Sequence, residues 1–195
     1  MNYTELQAQI ASYIHRNDLD AVIPSFIELA EARINRDLRV PEMQTEAVLN
    51  TINGIAQLPA RFLGMRELWY FPGVRSWTLS STGRHTLSRY RGLAGEPQVY
   101  SLQGAAIEIL PARDSADFNL LFWQGVEPLA TTPTNGILDK YPYLYLYASL
   151  IEAAFYTQDS ELAAGYQAKY EQDLAITNAE AAATRFGEAP TMSAN

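Results

Sequence analysis

The chain has no cysteine, only two histidines, and fewer cations than carboxylates. Each shortage closes a class of function. Without cysteine there are no disulfides, no thiolate catalysis and no sulfur-ligated metal. His15 and His85 have no ligand partner at zincin or zinc-finger spacing, so both read as surface or helix-end residues. Gly92, Gly95 and Gly104 are wrongly spaced for dinucleotide or P-loop motifs, and there is no G-x-S-x-G elbow. The longest apolar run ends at Glu152, well short of the ~20 residues a membrane span needs. The opening MNYTELQAQI lacks a basic n-region followed by an apolar run, so no secretory leader is expected. A net charge of −8 argues against general nucleic-acid binding, which rests on neutralising phosphates. The carboxylates form no distinctive constellation. No enzyme, cofactor or metal is expected.

What is present describes a globular protein, with 48% hydrophobic and 18% charged residues. At 195 residues it can bury a core as one domain or as two small modules. The stretch Tyr141–Tyr156 carries most information. Read as a helix, it places Leu144, Ala148, Ile151 and Phe155 on one face. Tyr143, Leu146, Tyr147, Leu150 and Ala154 cover much of the rest, and Glu152 is its one charged residue. A helix apolar on nearly all sides must be surrounded by protein. Pro142 suits its first turn. A second, largely polar helix follows from Asp159 to about Phe186.

The N-terminal region shows the same period. Thr4 as N-cap with Gln7 three residues on matches a capping box, and Leu6, Ile10, Tyr13 and Ile14 line one face. A second helix is predicted from about Pro24 to Leu38, with the stripe Phe26, Ile27, Ala30, Ile34 and Leu38. Glu28, Glu31, Arg33, Arg36 and Asp37 belong on its wet side, with Arg33 and Asp37 spaced for an (i, i+4) pair.

The pattern then changes to period two. Residues 44–58 read as a hairpin around Asn53-Gly54, the pair that favours a type I′ turn. Pro59–Leu63 reads as a short helical turn, and Met65–Phe71, Val99–Leu102, Ala105–Leu110 and Asp117–Trp123 as strands, with Val99–Leu102 and Ala105–Leu110 joined across Gln103-Gly104. Residues 74–95 hold a strand near Trp77–Leu79 and a helical turn near Leu87. Helices and strands kept apart along a chain mean α+β. The expectation is a helical bundle formed by N- and C-terminal helix pairs with an inserted antiparallel β module. Its segments are 1–42 and 131–187 for the helices, 43–130 for the β module and 188–195 for a flexible tail.

Charge is unevenly spread. Residues 59–91 carry Arg61, Arg66, Arg75, Arg84, Arg89 and Arg91 against Glu67 alone, a local +5 between acidic flanks. A basic middle between acidic ends suits a subunit that meets copies of itself, and Arg61, Arg66, Arg84 and Arg89 are the candidate interface residues. Trp69, Tyr70, Trp77, Tyr90, Tyr100 and Trp123 add aromatic rings to the same module. Such rings can bind sugars, although core and subunit-interface roles are commoner.

Five segments in order resemble the head-to-tail adaptor (connector) proteins of short-tailed bacteriophages and related prophages. They are NYTELQAQIASYIHRNDL, IPSFIELAEARINRDLRV, LPARFLGMREL, EPQVYSLQGAAIEILPA and PTNGILDKYPYLYLYASLIEAAFYTQD. The resemblance implies a structural virion protein, a subunit of a twelve-membered ring. That ring would join the portal at the capsid vertex to the tail or nozzle and surround the DNA channel. DNA would pass without sequence-specific binding, and no membrane is involved. Two readings from other classes stand beside it: a tail-associated carbohydrate-binding module, and behind that a small glycan hydrolase. On the adaptor reading the tail after Gly187 docks on the portal, with Phe186, Pro190 and Met192 as its apolar or stiff anchors.

Overall fold

The computed structural model describes residues 1–73, 76–114 and 116–186. Helices α1 (Tyr3–Ile14) and α2 (Ile23–Asp37) come first. Strands β1 (Gln44–Asn50), β2 (Ile55–Gln57), β3 (Phe62–Tyr70), β4 (Trp77–Thr78) and β5 (Ser80–Ser81) follow, then the one-turn helix α3 (Arg84–Leu87). After β6 (Val99–Gln103), β7 (Ala106–Leu110) and β8 (Asp117–Gln124) come α4 (Gly136–Lys140), α5 (Pro142–Tyr156) and α6 (Ser160–Phe186). The α+β class read from the sequence is borne out. Two units divide the described residues: a helical one, residues 1–43 with those from 126 onward, and a β unit, residues 44–125.

In the helical unit α5 buries nine of its residues and packs against α1, α2 and α6. Each fully buried Leu or Ile there contributes roughly 1.5–3 kcal/mol. Only its ends are open, where Tyr143, Phe155 and Tyr156 stand about 60% exposed. Phe155 is therefore not on the buried face expected of it, although Tyr156 beside it packs on Phe26 of α2 with ring centroids 5.5 Å apart. The stripe Phe26, Ile27, Ala30, Ile34 and Leu38 of α2 is buried throughout. Among the described side chains of α6 only a narrow seam, Ala163, Tyr170, Thr177 and Ala181, is buried, as its polar sequence requires.

Three local expectations are corrected in this unit. The cap of α1 is Asn2, not Thr4: its side chain accepts from Glu5 N–H while Glu5 accepts from Asn2 N–H, both at 2.9 Å. Arg33 does not pair with Asp37. It reaches Glu152 of α5 at 2.6 Å and Gln167 of α6 at 3.2 Å, while Asp37 takes Arg36 at 2.7 Å. Helix packing brought Arg33 a better partner than its own helix offers. Glu31 is buried rather than wet, because its carboxylate accepts the Leu129 N–H at 2.8 Å.

The β unit is built from two four-stranded sheets, ordered β1-β8-β3-β4 and β2-β7-β6-β5. Alternation sends Leu49, Leu68, Tyr70, Phe118, Leu120 and Phe122 of the first into one core with Ala56, Tyr100, Ile107 and Ile109 of the second. The predicted 44–58 hairpin does not form. Asn53 and Gly54 do take positive φ, 53° and 75°, as an Asn-Gly turn should. Only Ile52 and Ile55 pair across it, and then the strands part: β1 pairs with β8, and β2 with β7. The turn sits against β7, where Ile109 N–H donates to Gly54 O at 2.7 Å. A Cβ at Gly54 would lie 2.7 Å from Ile109 O. The helical turn expected at Pro59–Leu63 is likewise absent, since β3 begins at Phe62. Its pairing with β8 is long enough to claim those residues, at the cost of register shifts between Phe62 and Gly64 and between Met65 and Glu67.

Candidate interaction surfaces

Each sheet of the β unit has an inner face in the core and an outer face. The outer face of the second sheet presents Val99, Ser101, Glu108 and Leu110, by alternation with the buried inward residues. Residues 84–91 lie on it. Leu87 packs with Val99 and Leu110 in a satellite core, and half-buried Tyr90 joins them. Arg91 clamps the segment, its guanidinium donating to both oxygens of buried Glu108 at 2.7 and 2.9 Å, and Gln103 donates to the same carboxylate. With Leu87 and Arg91 pinned, Arg84, His85 and Arg89 are left exposed on the outside.

Among the described residues of the unit, the outer face of the first sheet has no such cover. Register places Glu46, Leu121 and Glu67 in one row, and Val48, Asn119 and Trp69 in the next. Val48 is 56% exposed, Trp69 and Leu121 are half-buried, and Glu46, Glu67 and Asp117 are exposed. Arg66 is the extra residue at the Met65–Glu67 register shift, and its guanidinium lies 5.1 Å from the Trp123 ring.

The four candidate arginines thus do not share one patch. Arg84 and Arg89 stand together over the second sheet, and Arg66 is on the opposite outer face. Arg61 occupies the turn before β3, at φ 58°, where its carbonyl accepts from Gly125 N–H at 2.7 Å. Arg91, counted in the basic stretch, is tied to Glu108. Among the aromatic residues Tyr70, Tyr100 and Trp123 are buried, and Trp77 is 46% exposed. On the portal-docking side Phe186 ends α6; its side chain, Pro190 and Met192 lie outside the described residues. The carboxylates of the outer face escaped sequence reasoning because they are scattered from Glu46 to Asp117. The signal that locates them is period-two alternation carried across paired strands.

Three concavities are formed by described residues of the helical unit. One of about 380 Å³ lies between the start of α5 and α6, lined by Tyr141, Tyr143, Leu144, Asp173, Ile176 and Thr177. One of about 270 Å³ is lined by Tyr13, Leu150, Ala153, Asp159 and Tyr166 among others. A third, about 300 Å³, is edged by Tyr3, Ser25, Glu28, Glu31 and Pro128. In the last, burial raises the carboxyl pKa of Glu31 above its ordinary value, the Leu129 N–H acts against that, and Glu28 adds to it. The buried Tyr145 hydroxyl, pushed up by burial, accepts from Asn135, whose amide also donates to Glu127 O and whose oxygen caps Leu138. These groups fix a loop; they do not present a nucleophile to a base. Among the described residues no cluster of three or more His, Cys, Asp or Glu could hold a metal ion. No described helix is long and apolar enough to cross a membrane.

A family model described as SU10 adaptor protein matches residues 1–191 of the chain. None of the curated proteins matches it.

Proposed function

The chain belongs to the SU10 adaptor protein family, and from that premise we propose that it is a ring-forming subunit between portal and tail. Membership itself makes it a phage adaptor, a structural component of the virion, as the sequence resemblance implied. The finer reading is a head-to-tail ring, twelve-membered by the resemblance, that joins the portal at the capsid vertex to the tail or nozzle and encloses the DNA exit channel. The observation that carries it is the extent of the match, which runs through both units.

Charge supports the same reading. The β unit has seven arginines and six carboxylates, while the rest of the chain has seven cations and sixteen carboxylates. A net negative subunit suits a channel through which DNA slides, because a basic lining would bind phosphates and slow it. Heterologous contacts between unlike faces close into rings. Arg61, Arg66, Arg84 and Arg89 are the subunit-interface residues of this proposal, and the segment after α6, with Phe186, Pro190 and Met192, is its portal-docking element.

Negative-stain imaging of the chain mixed with its portal tests the ring, expected as a twelve-fold layer on the portal. No layer at micromolar concentrations overturns the reading. Changing the four arginines together to Glu should leave the circular dichroism spectrum intact and abolish the layer. A chain ending at Arg185 should fold normally and attach poorly; equal attachment removes the tail from the proposal.

A further inference from the structure

The two outer faces of the β unit differ in charge and in cover, and the difference names a partner. The first sheet offers Val48, Trp69 and Leu121 among Glu46, Glu67 and Asp117, with Arg66 as the one cation described there. Among the described residues of the unit no segment covers its apolar centre as residues 84–91 cover the second sheet, and Val48 is 56% exposed. The second sheet is sealed by residues 84–91, which present Arg84 and Arg89, and 55%-exposed Leu93 follows directly.

We propose that the outer face of the first sheet docks a second copy of this chain through the arginine-bearing segment 84–91 of that copy. Three carboxylates around an apolar centre meet arginines beside an exposed leucine, so charge and hydrophobicity are both matched. The two faces lie on opposite sides of one unit, because the sheets share their inner core. A contact between unlike opposite faces is heterologous and repeats from copy to copy. The outer rows of Glu46 and Val48 thereby become the acceptor side of the assembly, a role no linear reading of the arginines gives. The inference rests on the ring reading for its geometry, yet it specifies a contact that can fail alone.

The absence of cysteine supplies a clean test by disulfide trapping of the full chain. Cysteine is placed at exposed Val48 (Val48→Cys) and at exposed Thr86 (Thr86→Cys). On oxidation the double variant should give a ladder well beyond dimer, and each single variant nothing beyond dimer. In that background Arg84→Glu with Arg89→Glu should cut the ladder at least tenfold, as should Glu46→Arg with Glu67→Arg. All four changes together should restore most of it, which an unfolded variant could not do. A double variant that stops at dimer, or a ladder indifferent to both charge reversals, overturns the contact. The portal mixture separates the two readings: a layer without a ladder sinks only this contact, and a ladder without a layer sinks only the ring.

Discussion

The helical unit and the β unit reach stability by different routes. In the first, one helix does most of the joining: α5 meets α1, α2 and α6, and Arg33 ties α2 to Glu152 of α5 and Gln167 of α6. In the second, no element is central in that way. Pairing is carried by β8 between β1 and β3 and by β7 between β2 and β6, and the core is shared by both sheets. Their cations differ as well. Both lysines of the chain, Lys140 and Lys169, lie in the helical unit, while every cation of the β unit is arginine. Arginine stacks and forks where lysine is a hydrated point charge, and the β unit uses it so, with Arg66 over Trp123, Arg113 over Tyr70 and Arg91 on Glu108. The helical unit is joined through one central helix, the β unit through two strands that each pair on both sides.

The sharpest way to break that contrast is at the centre of α5. Ile151, fully buried, replaced by Asp puts a carboxylate among aliphatic neighbours at a cost of several kcal/mol, a large share of a typical 5–15 kcal/mol stability. The expected product is insoluble, or soluble with helical far-UV and lost near-UV dichroism. A native melting curve would remove α5 from its central place. Phe118→Ala in the β core should cost about 3–5 kcal/mol through the cavity left beside Tyr70, 5.1 Å away ring to ring. Denaturant melts followed at both 222 nm and by tryptophan fluorescence should show the fluorescence transition, which reports the three β-unit tryptophans, shifted first. Coincident shifts would mean that one cooperative transition covers both units.

Gly54→Ala probes a single turn. Positive φ and the close approach to Ile109 O should together cost about 1–3 kcal/mol, read as a lower midpoint with unchanged m. Asn53→Ala should cost less, since Asn53 is exposed. The smallest effect has the opposite sign. Glu31 has a raised pKa in the folded chain, chiefly through burial. Its contribution is therefore fully favourable below the ordinary carboxylate pKa and is lost as pH rises through the raised value. Glu31→Gln keeps an acceptor for Leu129 N–H and removes the buried charge. It should raise the melting temperature at pH 7, and the gain should vanish as the pH falls below the ordinary carboxylate range. A gain that persists in acid would assign it to something other than the charge.

These contrasts also explain what could be read in advance. The helices were legible because a 3.6-residue period records which side faces protein, as the α2 stripe does, and because a helix apolar on nearly all sides, such as α5, must be enclosed. The strands were legible as strands, and Val99–Leu102 with Ala105–Leu110 as a pair across Gln103-Gly104, but the partners of the others were not. Period two tells which face a residue takes and nothing about which strand lies alongside, and β1 finds β8 some 70 residues away. Asn53-Gly54 made the nearest neighbour look sufficient. Arg33 and Glu31 were misplaced for a related reason: side chains on a helix were judged against their own helix, and tertiary partners outbid the local ones. The arginine-rich stretch was visible as composition, yet its division between two opposite faces, and the carboxylates of Glu46 and Glu67 across Leu121, exist only once register is set.

The helical unit is assembled from both ends of the chain, with the whole β unit between them. A ribosome therefore delivers α1 and α2 long before the helix that covers them. From Asp37 to Pro142 is about a hundred residues, or roughly 5–20 s of translation at ordinary rates. Over that interval Phe26, Ile27 and Ile34 have no α5 to meet, and helices of 12 and 15 residues are marginal alone. The β unit can close once β8 emerges, so the middle of the protein is finished while its beginning still waits. Emergence of α5, rather than of α1 and α2, sets the moment at which the helical unit can close.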